Sequence, residues 1–223
     1  MRKKIFVTVA TLVIAVALVA ALVACDRTPP AEAEHFSHGV DALYTGGGED
    51  FVVSLECGER ENPFIADGKT GTVEEFAELV VTPLAVGDYD EISFVLKEGG
   101  EAGKTLSGTL GSNRFGEFRV DVPLDFVPAS VTLTAGELNA EYPLADVLAG
   151  KLTSRDAVNI ARQEFAAELE AEKAEGGPER EVYVKLITGD RTTYYYYVSL
   201  IGEGANYLAV LVNPDDGTVV SKK

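Results

Sequence analysis

The chain has 223 residues, 46% hydrophobic and 25% charged, and its 36 acidic side chains outnumber 19 basic ones for a net charge of −17. That length suits one large domain or two small ones. The negative balance repels nucleic acid and anionic lipid headgroups, which excludes both as ligands, and two cysteines are too few for a disulfide framework.

Arg2, Lys3 and Lys4 form a positive patch ahead of an apolar run from Ile5 to Ala24, in which Thr8 and Thr11 are the only polar side chains. Asp26, Arg27, Pro29 and Pro30 stop any helix behind it. A basic patch, an apolar stretch and small residues before a cut site are the parts of a secretory signal. The same stretch is long enough, at about 1.5 Å per residue, to span a bilayer, so an uncleaved anchor of the same orientation is the alternative. Leu22-Val23-Ala24-Cys25 resembles the lipobox of bacterial lipoprotein signal peptides. The resemblance implies that residues 1–24 are a signal peptide, that Cys25 becomes the first residue and carries acyl chains on its sulfur, and that the protein sits lipid-anchored on the extracytoplasmic face of the cell membrane. Two acyl chains hold stably where one is marginal. Losing Arg2, Lys3 and Lys4 takes the net charge from −17 to −20, and a lipidated Cys25 leaves Cys57 without a disulfide partner.

Residues 25–35 are polar and rich in proline and alanine, and read as a flexible tether. Residues 36–149 carry the signals of an all-β domain. Short alternating or apolar runs occur at Phe51–Cys57, Glu91–Leu96, Thr105–Leu110, Glu117–Val122, Ser130–Thr134 and Ala140–Leu144, with turn clusters such as Gly46-Gly47-Gly48 and Gly99-Gly100 between them. Leu106, Thr109 and Leu110 leading into Gly111-Ser112-Asn113, with Phe115, Phe118, Val120 and Val122 leading out, is the clearest hairpin. Thr72 to Leu79 reads as either a short helix or a strand. Six or seven short strands over this length suggest an immunoglobulin-like sandwich of two sheets. Cys57 shares a strand face with Phe51, Val53 and Leu55, as a buried small hydrophobe does.

Near residue 150 the pattern changes. Thr153 or Ser154 caps a helix whose first turn holds Asp156, and Ala157, Val158, Ile160, Ala161, Phe165 and Leu169 form one apolar stripe at three- and four-residue spacing. Gly176-Gly177-Pro178 ends it. Strands follow at Glu181–Thr188, Thr193–Ile201, Tyr207–Val212 and Thr218–Ser221, so residues 150–223 read as a small α+β domain and the whole chain as α+β. The helix start Leu152-Thr153-Ser154-Arg155-Asp156-Ala157, the strand pair Tyr194–Leu200 and Tyr207–Val212, and the closing Asn213-Pro214-Asp215-Asp216-Gly217-Thr218-Val219-Val220 resemble a PepSY-type domain, with Asn213 and Asp216-Gly217 departing from the family's pattern. The resemblance implies a non-catalytic module that binds, or restrains, peptidases outside the cytoplasm.

No catalytic constellation stands out. Both histidines, His35 and His38, lie at the edge of the tether; with Asp41 they lack a fourth metal ligand at a convincing spacing, and a solvated tether is the simpler reading. Asp67-Gly68-Lys69 and Asp215-Asp216-Gly217 read as turns rather than calcium loops, and Asp88, Asp90 and Glu91 as a solvated approach to a strand. The run Tyr194-Tyr195-Tyr196-Tyr197 places two rings on each face of a strand. One pair packs under the helix, and the other is a candidate binding surface or a packing contact. The expectation is therefore a non-enzymatic, membrane-tethered binding protein without cofactor or metal, taking an extracytoplasmic protein such as a peptidase. The alternatives are a structural or solute- and glycan-binding lipoprotein acting through the β domain, and a hydrolase.

Overall fold

The computed structural model describes residues 36–223 apart from 85–88, 113–116, 178 and 191. The signal segment, Cys25, the tether, His35, Asn113, Phe115 and Asp88 lie outside the described residues. The described residues form one compact unit.

The fold is α+β. Nine strands precede the helices: β1 (His38–Gly47), β2 (Phe51–Glu61), β3 (Val73–Pro83), β4 (Glu91–Glu98), β5 (Thr105–Gly111), β6 (Phe118–Asp121), β7 (Pro128–Ala135), β8 (Leu138–Pro143) and the two-residue β9 (Ala145–Asp146). Then come α1 (Ser154–Glu164) and α2 (Ala166–Ala174), followed by β10 (Glu181–Thr188), β11 (Tyr194–Ile201), β12 (Tyr207–Val212) and β13 (Val219–Lys222). The larger sheet runs β13-β12-β11-β10-β1-β2-β3-β6, with β9 added to β1; the smaller runs β5-β4-β7-β8. Every pairing is antiparallel except that of β1 with β10, where His38 stands beside Tyr183.

Two hydrophobic cores share this framework. In the first, α1 lies on β10–β12, and Ala157, Val158, Ala161 and Phe165 pack with Val184, Tyr196, Val198 and Val210. In the second, both sheets contribute: Phe51, Val53, Leu55 and Leu79 from the larger meet Ile92, Leu96, Leu110 and Leu133 from the smaller. Each such side chain is worth about 1.5–3 kcal/mol when fully buried. The cores follow the division between residues 36–149 and 150–223, yet the larger sheet crosses it unbroken. β1 is the joint: it pairs with β2, while its Val40 and Leu43 pack in the helix core. The Ser154 hydroxyl at the start of α1 donates to the carbonyl of Val40, fastening helix to strand.

The helix starts as the sequence dictates. The Thr153 hydroxyl accepts from the Asp156 amide at 3.2 Å, and the Asp156 carboxylate accepts from the Thr153 amide at 2.9 Å, a complete capping box. It does not run on to Gly176 as one rod. Phe165 leaves helical geometry at φ −109° and ψ 21°, turns into the core, and separates α1 from an α2 with no fully buried residue, whose Leu169 alone packs partly buried against the first core.

One open choice is decided and two expectations need correction. Of the two readings of Thr72 to Leu79 the strand holds: Val73 onward is β3, whose Ala77, Leu79 and Val81 alternate into the second core. β1 was not anticipated, because a bulge between Val40 and Ala42 breaks its two-residue period. The segments flanking Gly111-Ser112-Asn113 do not form a hairpin: β5 pairs with β4 and β6 with β3, in different sheets, and among the described residues a Ser112–Phe118 bridge joins them. Leu110 and Phe118 both fill the second core, so the chain crosses from one layer to the other here instead of folding back on itself.

Candidate functional site

The tyrosine run divides by strand geometry. Tyr196 is 0% exposed, and its hydroxyl donates to the Leu152 carbonyl at 2.9 Å; burial pushes that hydroxyl's pKa up to about 12. Tyr194 packs partly buried against the same core. Tyr195 and Tyr197 are half-buried on the opposite face. Tyr195 stands across from Ile187, which is 38% exposed, and Tyr197 lies between Lys185 and Leu211. Tyr196 therefore has no surface to offer a ligand, Tyr194 borders a separate cavity of about 680 Å³ beside Thr45 and Thr188, and Tyr195 and Tyr197 share one partly open face.

That face continues into a groove of about 660 Å³ where β10 meets the outward sides of β2, β3 and β6. Residues opposite one another across an antiparallel pair point the same way. Ser54, Glu56 and Arg60 on β2 therefore align with Val80, Glu78 and Glu74 on β3, facing away from the core that holds Val53, Leu55 and Leu79. Along the groove runs a row of rings. Phe64 lies 5.2 Å from Tyr183, Tyr183 5.1 Å from His38, and His38 5.5 Å from Phe76, centroid to centroid. The Arg60 guanidinium caps the row 4.8 Å above Phe76.

His38 is thus not a solvated tether residue. It begins β1, and its side chain is 17% exposed. Its Nδ1 lies 2.7 Å from the Val184 carbonyl oxygen, which accepts and so fixes a proton on Nδ1. Nε2 faces Glu56 Oε1 at 3.5 Å. Burial lowers the His38 pKa, against the raising effect of the Val184 carbonyl, and burial raises that of Glu56. Both shifts favour the uncharged forms. Around them Arg60 bonds Asp121 at 2.7 Å, and Arg119 reaches Glu78 at 3.2 Å and Glu117 at 3.3 Å, while Lys185 in the same lining acts on Glu56 only at longer range.

The loop between β2 and β3 overhangs one end. Two carboxylates pin it: Glu61 Oε1 accepts from the Gly71 amide at 2.8 Å, and Glu181 Oε2 accepts from the Gly68 amide at 3.0 Å. Phe64, on this loop, is 45% exposed above Tyr183.

The remaining candidates offer less. Burial pushes the Cys57 thiol up to about 11, which suppresses its thiolate. A cleft of about 370 Å³ beside α2 contains Arg180, but that guanidinium is already held by both oxygens of Glu172 and by the Leu200 carbonyl. Asp216 accepts from the Thr218 amide at 2.9 Å, as a turn residue does. Among the described residues no group of three or more His, Cys, Asp or Glu side chains is placed to hold a metal ion, and no helix is long and apolar enough to cross a membrane.

No family model, no curated protein and no solved structure matches the chain. Sequence reasoning found the tyrosines but not His38, Glu56, Phe76 or Tyr183 as a group. The one available signal was the polar alternation Ser54, Glu56, Gly58 and Arg60, which any solvated strand face also shows.

Proposed function

We propose that the chain is a lipid-anchored, extracytoplasmic, non-catalytic binding protein. Cys25 is its membrane attachment, and an extended segment of another protein lies in the groove and across Tyr195 and Tyr197. The observation that carries this reading is the row Phe64, Tyr183, His38 and Phe76 along the groove, with Phe64 exposed at one end, Tyr183 and His38 partly buried, and Phe76 buried at the other. Aromatic rings give area at low entropic cost, and flanking polar groups fix the register of a bound chain. Addition of a strand to a sheet edge is the weaker version, since β13 and β6 at the edges of the larger sheet span four residues each.

An envelope peptidase is the partner class that fits the PepSY-like reading of residues 150–223. A capped helix packed on the antiparallel β10–β13 supports that reading, and two sheets sharing one core support the immunoglobulin-like reading of 36–149. The alternative, a solute or glycan held inside the β domain, is less well supported. Phe51, Leu55, Leu79, Ile92, Leu96 and Leu133 at 0% exposure fill that interior with side chains.

The test is capture from envelope extracts, comparing wild type with Tyr195→Ser/Tyr197→Ser and with Tyr194→Phe. Loss of a specific partner in the first variant and retention in the second is expected. Equal recovery by all three would remove the tyrosine face from the interaction.

A further inference from the structure

The loop joining β2 to β3, residues 62–72, is held down by few contacts, and Gly68 is its one buried residue. Its base is closed by the Asn62 amide, which donates to the Thr72 carbonyl at 3.2 Å, and by the Gly71 amide on Glu61. Its tip reaches across to the other half of the larger sheet. There the Gly68 amide donates to Glu181, and a Cβ on Gly68 would stand 2.8 Å from the carbonyl carbon of Gly202. Gly68 also holds φ at +88°, a conformation that favours glycine. On the face of β10 and β11 turned away from the helix core, Glu181 stands opposite Ile201 and Tyr183 opposite Ser199. Glu181 is 2% exposed and Ile201 7%, yet Ile201 belongs to neither hydrophobic core. The loop tip, seated on the adjoining Gly202, is the segment placed to cover them. This closure carries a cost. Glu61 Oε2 and Glu181 Oε1 are buried with no hydrogen-bond partner among the described residues, and a buried acceptor in that state forfeits its hydration. Opening returns both oxygens to water, which offsets the two amide bonds and the Phe64–Tyr183 ring contact that it breaks.

We propose that residues 62–72 are a lid that opens as one unit, turning about its Asn62–Thr72 base and lifting Gly68 and Phe64 away from Glu181, Ile201 and Tyr183. Closed, the lid ends the groove at Phe64. Open, it extends the groove along β10 and β11 as far as Ile201. The two states lie close in free energy because each carboxylate gives one oxygen to the closed state and regains water on the other in the open state. Phe64 at 45% and Ile65 at 56% exposure already present apolar side chains on the lid, available to fold over a segment lying in the groove. This inference rests on the binding-protein reading for the use of the lid, while the motion itself needs no ligand.

Native-state hydrogen exchange on the full chain in detergent, read by NMR, tests the lid without any ligand. The Gly68 and Gly71 amides, bonded to buried carboxylates, should be protected at least about tenfold over an open chain, and to the same degree. Both should exchange at least about a hundredfold faster than the amides of Val53 and Val198 in the two cores. Glu181→Gln keeps the shape but removes the charge from the bond to Gly68, so it should speed exchange at Gly71 as well as Gly68, each about fivefold. Glu61→Gln should likewise speed both. Gly68→Ala, whose Cβ does not fit against Gly202, should release Gly71 while Val198 stays slow. Glycines that exchange only with the cores, or that show no protection at all, would overturn the proposal on wild type alone, whatever the variants do. So would variants that each speed only the amide they contact, because the loop would then not move as a unit. A rigid loop alongside successful capture would sink the lid and spare the binding role, and a moving lid with no partner captured would do the reverse.

Discussion

Tyr196 separates the structural half of the tyrosine run from the half available to a ligand. Removing its hydroxyl in Tyr196→Phe leaves the Leu152 carbonyl without its 2.9 Å donor, for a loss of about 1–2 kcal/mol. Tyr196→Ala empties a fully buried site in the helix core and should cost about 3–5 kcal/mol. At roughly 2–4 °C per kcal/mol for a body of this size, the melting temperature falls by roughly 2–8 °C in the first case and by roughly 6–20 °C in the second. Tyr195→Phe, on the other face, should change stability by less than about 0.5 kcal/mol. Urea denaturation followed by circular dichroism, with the same slope for all variants, measures the differences. Equal losses for Tyr195→Phe and Tyr196→Phe would refute the division of the run into buried and available faces.

Three further outcomes follow, one from the joint at β1 and two from the groove. Gly58→Ala would drive a Cβ into the backbone carbonyl of Gly39, with the Val40 Cα at 3.1 Å, so it should unfold β1 locally and weaken groove binding even if the sandwich core survives; hydrogen exchange on β1 amides checks this. The pH dependence has a fixed sign. Glu56 has a folded pKa raised above 4.5 by burial, so its penalty to the fold is absent below that value and develops as pH rises through the folded pKa. Glu56→Gln should therefore gain stability relative to wild type between pH 4 and pH 7. His38, lowered from 6.5 by burial, has the opposite slope, and its ring protons should titrate below 6.5 by NMR. A midpoint above 6.5 would contradict the burial argument.

The legible parts of the fold were those with a regular local period. Thr153 and Asp156 announced the helix start, and the alternation of Val182, Val184 and Leu186 announced β10 with its boundaries. β1 was illegible because the bulge at Asp41 and three glycines blur its period. The β5–β6 crossing was illegible for a different reason. Composition marks a turn, but which sheet each strand joins is decided by distant partners. The groove depends on the same non-local information. His38 and Val184 meet across 146 positions through one parallel pairing, and nothing around either residue foretells it. The tyrosine run was half legible: period two divides the rings, while only the packed helix decides which pair is buried.

The binding role requires that the body be delivered outside the cytoplasm and held there by Cys25. Intact-mass analysis of the protein extracted from membranes tests this most directly. A chain that begins at Cys25 and carries the added mass of acyl groups on that residue is the expected result. A chain that retains Met1 and carries no acyl mass, recovered from the cell interior, would contradict it.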